Sequence, residues 1–387
     1  MIILVITAIL VVPVTSVLHS DDSDAVVYDS NYRGQLTENQ QTIYDALSAL
    51  DTTSVTLTNV YGWSQQQYAA KVTVPSTYVL KASSAAELTK MVMADMTRAY
   101  QATLLDNPMA WWAWSTDDAH EALFYTEARI ANNQTFKLTT TEVSGFEFYV
   151  FVSSAYYEDG NLAGKITAVN DAVTKLIDDK KVSGDTDVDK VKSINAYLCS
   201  DSFVYNTEQT FCNSVYGAFV YEKDGKHQLL CTGFSQAFKL LCDKLGVKCA
   251  NVVGLAAQSS ENGGHMWNVV TVNCTIDDKS GSYNLGVDVT FDKTSGNATA
   301  YLLSGSMTVK DSVTFSQVHQ AFAPLGSDKA LWVDYDFTAP TLNSKGYTFA
   351  TSEDIVAQLT HYAPWILVAI ICVILAYVLW NIARRGE

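Results

Sequence analysis

The stretch WILVAIICVILAYVLW, from Trp365 to Trp380, is apolar without a break. With Tyr362 and Ile382 included it reaches the roughly 20 residues that cross a bilayer as a helix. A run apolar on every face has no polar side to turn to water, so it does not suit a surface helix. Trp365 and Trp380 match the two membrane interfaces, and Arg384 and Arg385 follow the positive-inside rule. We expect one transmembrane helix at 363–383, a cytoplasmic tail at 384–387 and everything before it outside the cell. At the other end, MIILVITAILVVPVTSV has the length of a signal peptide and offers Val14, Thr15 and Ser16 for cleavage. It lacks a basic n-region, so 1–19 is expected to be a signal peptide or an N-terminal anchor.

Between these ends, 387 residues allow about two domains with substantial cores. The formal net charge is −16, which argues against nucleic acid as a partner, because phosphates demand Lys and Arg clusters. An acidic surface is ordinary for an extracellular protein. Sequons at Asn133, Asn273 and Asn297 are permitted by that topology. With Cys372 in the membrane run, Cys199, Cys212, Cys231, Cys242, Cys249 and Cys274 remain outside. An even set allows three disulfides, with Cys199–Cys212 and Cys242–Cys249 as candidate pairs. A free Cys231 leaves five cysteines that cannot all pair.

Residues 25–185 read as a smaller N-terminal α/β domain. TENQQTIYDALSAL and SSAAELTKMVMADMTRAYQATLLDN have helical spacing, the latter through Leu88, Met91, Val92, Met96 and Tyr100. TTSVTLTNVYGW, AKVTVPSTYVL and VSGFEFYVFVSSAYY alternate as strands do, and NLAGKITAVNDAVTKLIDDKK closes the segment as a helix. DNPMAWWAW reads as a buried aromatic cluster, with a ligand cleft as the alternative. The charged turn GDTDVDK marks a boundary, after which 186–340 form a second domain. Residues 341–362 are polar and loosely patterned, as a stalk would be.

Chemistry concentrates in LLCTGFSQAFKLLCDKLG. Phe234, Ala237, Phe238, Leu241 and Leu245 recur at three- and four-residue steps, which predicts a helix with one buried face. Gly246 ends it, and Cys231 opens it. Free amides and the macrodipole at a helix N-terminus favour an anion and are among the settings that lower a thiol's pKa. Gly233 leaves space beside the sulfur for a substrate backbone. Cys242, mid-helix among core positions, is expected to be inert.

A thiolate nucleophile needs a base, and the base needs an orienting carboxylate. The strand HMWNVVTVNC starts at His265. The next strand, YNLGVDVTFD, carries Asp288 and Asp292 on one face. If the two form a hairpin through TIDDKSGS, either aspartate can meet His265. A symmetric turn favours Asp292 and a lopsided loop favours Asp288.

The ordered blocks LLCTGFSQAFKLLCDKLGVKCANVVG, GGHMWNVV and GVDVTFD resemble the transglutaminase-like core of prokaryotic surface proteins. That pattern is Cys-x-Gly-(Tyr/Phe) opening a helix, His-x-Trp-Asn starting a strand, and Asp-x-Thr-(Trp/Phe) on the next. The resemblance covers about residues 186–340, with DSFVYN, NSVYGAF and TAYLLSGS fitting its flanks. It implies a papain-like α+β fold in which a nucleophile helix packs on an antiparallel sheet. It also implies a Cys231–His265–Asp288 triad, choosing Asp288. By position, Tyr216 is the candidate second oxyanion donor, beside the Cys231 amide, and Trp267 is a candidate wall of the acyl site or a core residue. Asn268 is expected to tie down a loop. Two departures are visible: Thr232 stands where the family often has an acidic residue, and YEKDGKHQ is longer and more polar than a tight hairpin. His227 reads as a solvated loop residue.

The expected activity is that of a surface-exposed thiol hydrolase acting on amide bonds of peptides or proteins. The alternatives are a protein-crosslinking transglutaminase and a non-catalytic adhesion or envelope-organising module. No cofactor, metal site or nucleic-acid partner is expected; the expected partners are a peptide or protein substrate and the membrane.

Overall fold

In the first half of the chain, polar caps start the helices where the sequence supplies Ser, Thr or Asn before an apolar repeat. Thr37 and Gln40 form a reciprocal capping box at α1 (Glu38–Ser48). Strands β1 (Val55–Thr58) and β2 (Gln67–Lys81) follow, then α2 (Ala85–Asp106) with its Ser84 cap, then β3 (Glu142–Phe151). The three strands make one antiparallel sheet in the order β1-β2-β3. Leu88, Val92, Met96 and Tyr100 are buried, whereas Met91 is exposed. From Ala99 to Asp106 every residue of α2 is buried, because this end of the helix is enclosed by the second half of the chain. The DNPMAWWAW segment makes a short helical turn, Trp111–Trp114, with Trp111 and Trp112 buried.

The computed structural model describes residues 31–58, 67–114, 136–152, 154–157, 160–206, 210–256, 264–310, 312–322, 337–349 and 377. The signal or anchor expected at 1–19, the tail at 384–387 and, but for Tyr377, the membrane helix expected at 363–383 lie outside them. Among the described residues no helix is long and apolar enough to cross a membrane.

The second half begins with α3 (Leu162–Asp178) and α4 (Asp187–Leu198), capped by Asn161 and Thr186. A parallel pair, β4 (Phe203–Tyr205) with β5 (His227–Leu229), brackets the short α5 (Val215–Phe219). Then come α6 (Cys231–Lys244), β6 (Lys248–Ala256), β7 (Gly264–Ile276), β8 (Lys279–Val287), α7 (Val289–Ser295), the two-residue strands β9 (Val309–Lys310) and β10 (Val313–Thr314), the single turn α8 (Phe315–Val318) and β11 (His319–Ala321). The main sheet is antiparallel in the order β11-β6-β7-β8, which makes the architecture α+β. Asp277 and Asp278, both at positive φ, close the β7–β8 hairpin with the two-residue turn that suits strand twist.

One cluster of buried side chains runs from Ile43, Val92 and Phe148 through Val191 to Phe234, Phe238, Val270 and Leu285. Helix α6 lies inside it. Every residue from Cys231 to Cys242 is buried, not one face only, because the sheet covers one side and helices cover the others. Gly246, at φ 71°, ends the helix as expected.

Several expectations are corrected. YNLGVDVTFD is not one strand: β8 stops at Val287 and Asp288 caps α7, accepting from the amide of Phe291. The YEKDGKHQ segment is a tight turn after all, with Asp224 and Gly225 at positive φ between the bridged residues Lys223 and Lys226. Among the described residues no cysteine is in a disulfide, so neither Cys199–Cys212 nor Cys242–Cys249 is bridged. Residues 341–347, read as the start of a stalk, are bound to the domain: Asn343 donates to the carbonyl of Asn284, and Tyr347 to that of Leu303.

Candidate active site

Cys231 is the first residue of α6. Leu230, extended at φ −88° and ψ 176°, precedes it and contributes no side-chain cap, so no cap side chain occupies the first-turn amides. The carbonyl of Cys212 accepts from the Leu230 amide at 2.8 Å and lies against the first turn. A Cβ at Gly233 would overlap that carbonyl. The space at Gly233 therefore belongs to the Cys212 loop and not to a substrate backbone.

A lattice of buried amides fixes the helix to β7 and to the first half of the chain. Ser235 donates to the carbonyl of Met266 at 2.9 Å, and Asn268 donates back to the carbonyl of Ser235 at 3.2 Å and to Asn251 Oδ1 at 2.8 Å. Asn268 thus ties a helix to a strand, not a loop. Asn251 donates to the carbonyl of Leu105 and Gln236 to that of Leu104. Lys239, fully buried, is held by Asp243 at 3.1 Å and by the carbonyl of Cys249 at 3.0 Å. Cys242 lies against Cys249, and burial above all pushes its thiol well above the usual range, as befits an inert core cysteine.

His265 and Asp288 are brought together. His265 Nε2 is 2.7 Å from Asp288 Oδ2, and both side chains are buried. The Cys231 side chain is near enough to His265 to help raise its pKa; with Nε2 turned to the carboxylate, Nδ1 is the nitrogen left for sulfur. Burial alone would lower the His265 pKa, but the Asp288 charge, its hydrogen bond and the Cys231 contact carry it up to about 10. Burial pushes the Asp288 carboxyl the other way, yet His265 and His319 outweigh it and hold the group well below the carboxylate range.

The hairpin does not choose between the aspartates by facing them along a strand. Asp288 reaches back from the cap of α7, while Asp292, one turn further, points to the amide of Tyr301 and to Asn195 Nδ2. Burial raises the Asp292 pKa to about 7, with the Asp288 charge adding to it.

Sequence reasoning missed His319. Its Nε2 is 2.8 Å from Asp288 Oδ2, the same oxygen that faces His265, and its Nδ1 is 3.1 Å from the carbonyl of Phe315. One histidine 31 positions after Asp288 has no spacing to announce it. His265, Asp288 and His319 bring their ligating atoms within 4.8 Å of one another, the closeness a metal site needs. The two N–O separations are lengths normal for charge-assisted hydrogen bonds, so two protons account for them. We read the cluster as joined by protons.

Trp267 is buried with Val252, Val269, Tyr301 and Phe315, and its ring also lies 6.1 Å from that of His265; it belongs to the core and to the site's wall at once. Tyr216 stacks on Trp111 at 5.2 Å. His227 is not solvated: it is buried in β5, with Nδ1 near the carbonyls of Gly217 and Tyr221. Tyr205, 40% exposed, borders the site; burial first, then the charges of Cys231, Cys212 and Asp288, push its phenol up.

No family model matches this chain, and no curated protein matches it. A solved structure described as "Crystal structure of a TGase" is similar to it at 20% identity and a TM-score of 0.23. The likeness covers 39% of this chain and 42% of that one, so the chain spans well under half of that structure's length.

Proposed function

We propose that this chain is a cysteine acyl-transfer enzyme acting on amide bonds of peptides or proteins, with Cys231 as nucleophile, His265 as base and acid, and Asp288 as the orienting carboxylate. The observation that carries this reading is that His265 Nε2 lies 2.7 Å from Asp288 Oδ2 while Cys231, buried at the start of a helix, is near enough to raise the His265 pKa. With the proton it shares with the thiol held on His265, the Cys231 sulfur attacks the carbonyl carbon. The oxyanion is received by the Cys231 amide, with Tyr216 as the candidate second donor. The tetrahedral adduct collapses, the C–N bond breaks, and the His265 imidazolium protonates the leaving amine. Water, deprotonated by His265, then releases the acid and restores the thiol. An amine in place of water gives transamidation by the same steps; hydrolysis demands no second binding slot and is the reading adopted. The apolar segments at 363–383 and 1–19 support placement at the cell surface, with the globular part outside and the C-terminus in the cytoplasm.

The test is iodoacetamide alkylation of the full-length chain, read at Cys231 by peptide mass spectrometry. The expected result is alkylation at neutral pH that is faster than at partly exposed Cys274 and slows in His265→Ala. A Cys231 that is indifferent to His265 would overturn the enzyme reading and favour a non-catalytic surface module.

A further inference from the structure

The residue that shares Asp288 with His265 is held on all sides. His319 opens β11, the edge strand that pairs with β6 through Ala256, Leu255 and Gly254. A Cβ at Gly254 would overlap the carbonyl of Gln320, so glycine is what lets β11 come this close. The Phe315 ring stacks on the His319 ring at 4.0 Å and 20°. That ring in turn occupies the space a Cβ at Gly286 would take. Trp267 lies 5.0 Å away, Phe291 5.5 Å and Tyr301 5.9 Å, all centroid to centroid. Together these rings fix the orientation of the His319 imidazole.

The protons can be counted. A backbone carbonyl only accepts, so His319 Nδ1 must carry a hydrogen to bond Phe315. Asp288 Oδ2 faces two ring nitrogens, His265 Nε2 and His319 Nε2, while Oδ1 accepts from the Phe291 amide. A protonated Oδ2 could donate to one Nε2 and still accept from the other, so this oxygen joins the two imidazoles in either ionisation state. His319 is held at both of its ring nitrogens, by Asp288 and by the Phe315 carbonyl.

We propose that His319 is a positioning residue of this centre: it holds Asp288 Oδ2 from a second direction, and so fixes the carboxylate against His265 Nε2 and the His265 ring in its orientation toward Cys231. This rests on the reading of Cys231 as nucleophile. The charged and titratable groups facing His319 are Asp288 at the cap of α7, with Asp292 one turn on, His265 on β7 with Cys231 of α6 behind it, and Tyr301 at its edge. Without His319 the Asp288 oxygen is held by one imidazole only, and His265 is less firmly oriented toward the thiol.

The experiment is Cys231 alkylation by iodoacetamide at neutral pH in the full-length chain, for wild type, His265→Ala, His319→Leu and His319→Gln. Glutamine keeps a donor for Asp288, and leucine keeps none. The expected result is alkylation slowed several-fold in His319→Leu and restored toward wild type in His319→Gln. A leucine variant as fast as wild type, or an equal loss in both variants, with wild type still dependent on His265, overturns this inference and leaves the nucleophile reading standing. A wild-type Cys231 indifferent to His265 overturns both. As a measurement that needs no variant, 15N NMR of histidine-labelled wild type should show Nε2 of both His265 and His319 hydrogen-bonded. A His319 Nε2 without such a bond overturns the inference.

Discussion

Gln236, on the helix that Cys231 opens, donates through Nε2 to the carbonyl of Leu104, 3.0 Å away in space and 132 positions earlier in the chain. Asn251 does the same for the carbonyl of Leu105, and both amides are buried. The last turn of α2 leaves carbonyls without helical partners, and side chains of the second half meet them. Replacing Gln236 with Leu leaves the Leu104 carbonyl and Asn251 each short of a partner. The expected loss is about 1–3 kcal/mol of unfolding free energy, read from urea denaturation of the full chain.

Asp288 has two duties that a substitution can separate. Asn is as good a helix cap as Asp, so Asp288→Asn keeps the Phe291 bond and removes the charge between two imidazoles. Alkylation of Cys231 at neutral pH is expected to slow by roughly 10²-fold, the low end of what general-base assistance contributes, with helix content unchanged by circular dichroism. Asp292→Asn, which touches the Tyr301 and Asn195 contacts, is expected to leave alkylation near wild type and lower the melting temperature. Equal kinetic losses in the two variants would contradict the assignment of Asp288.

Stability should decline from mildly acidic toward alkaline pH. Burial holds the Asp106 and Asp292 carboxyls up to about 7, against about 3.9 in an unfolded chain. The folded state therefore keeps protons that the unfolded state has released, and each group's penalty grows from about pH 4 and is complete above about pH 7. His265, carried up to about 10, contributes stability that is fully present below its unfolded value of about 6.5 and is lost as pH rises through 10. Asp288 acts oppositely: its depressed pKa adds stability above about pH 4 that is lost on further acidification. The melting temperature is expected to peak near pH 4 and to fall through pH 8, with a shallower fall in Asp292→Asn. A melting temperature that rises between pH 5 and 8 would contradict this account.

Gly233 can be tested alone. Alanine there places a methyl group on the Cys212 carbonyl, and either the loop or the first turn of α6 must move. A cost of about 1–3 kcal/mol is expected, as for other overpacked sites, together with altered Cys231 alkylation. An alanine variant with wild-type stability and reactivity would show that the loop yields freely.

Much of this was legible in the chain. The periodicity of Phe234, Ala237, Phe238 and Leu241 marks α6 correctly, and alternation marks β6 and β7, because those patterns are what a packed helix and a packed sheet impose. The turn from β8 into α7 was not legible. The residues 288–292 alternate polar and apolar as a strand would, and what decides is the Asp288 cap with Gly296 at φ 69° closing the helix. Lys239 and Gln236 look like solvent positions on a one-faced helix; they are interior because a distant segment of chain covers that side. His319 is invisible for a related reason. Its role depends on β11 returning to the edge of β6, and the local pattern hints only at the Thr314–Gln317 capping box that seats α8 just before it.

The bound segment after residue 340 has a mechanical meaning. Asn343 is bonded to Asn284, Ser306 to Asn343, Met307 to Ser344 and Tyr347 to Leu303, while Ser304 is bridged to Gly286. Tension applied to the chain beyond residue 349 is received by these bonds together with the packing of Tyr347 and Phe349 and the Lys345–Asp277 pair. It passes next to the end of β8, one residue ahead of Val287 and two ahead of Asp288. A load on that side is thus transmitted toward the carboxylate that holds both imidazoles, before it reaches the helix that carries the sulfur.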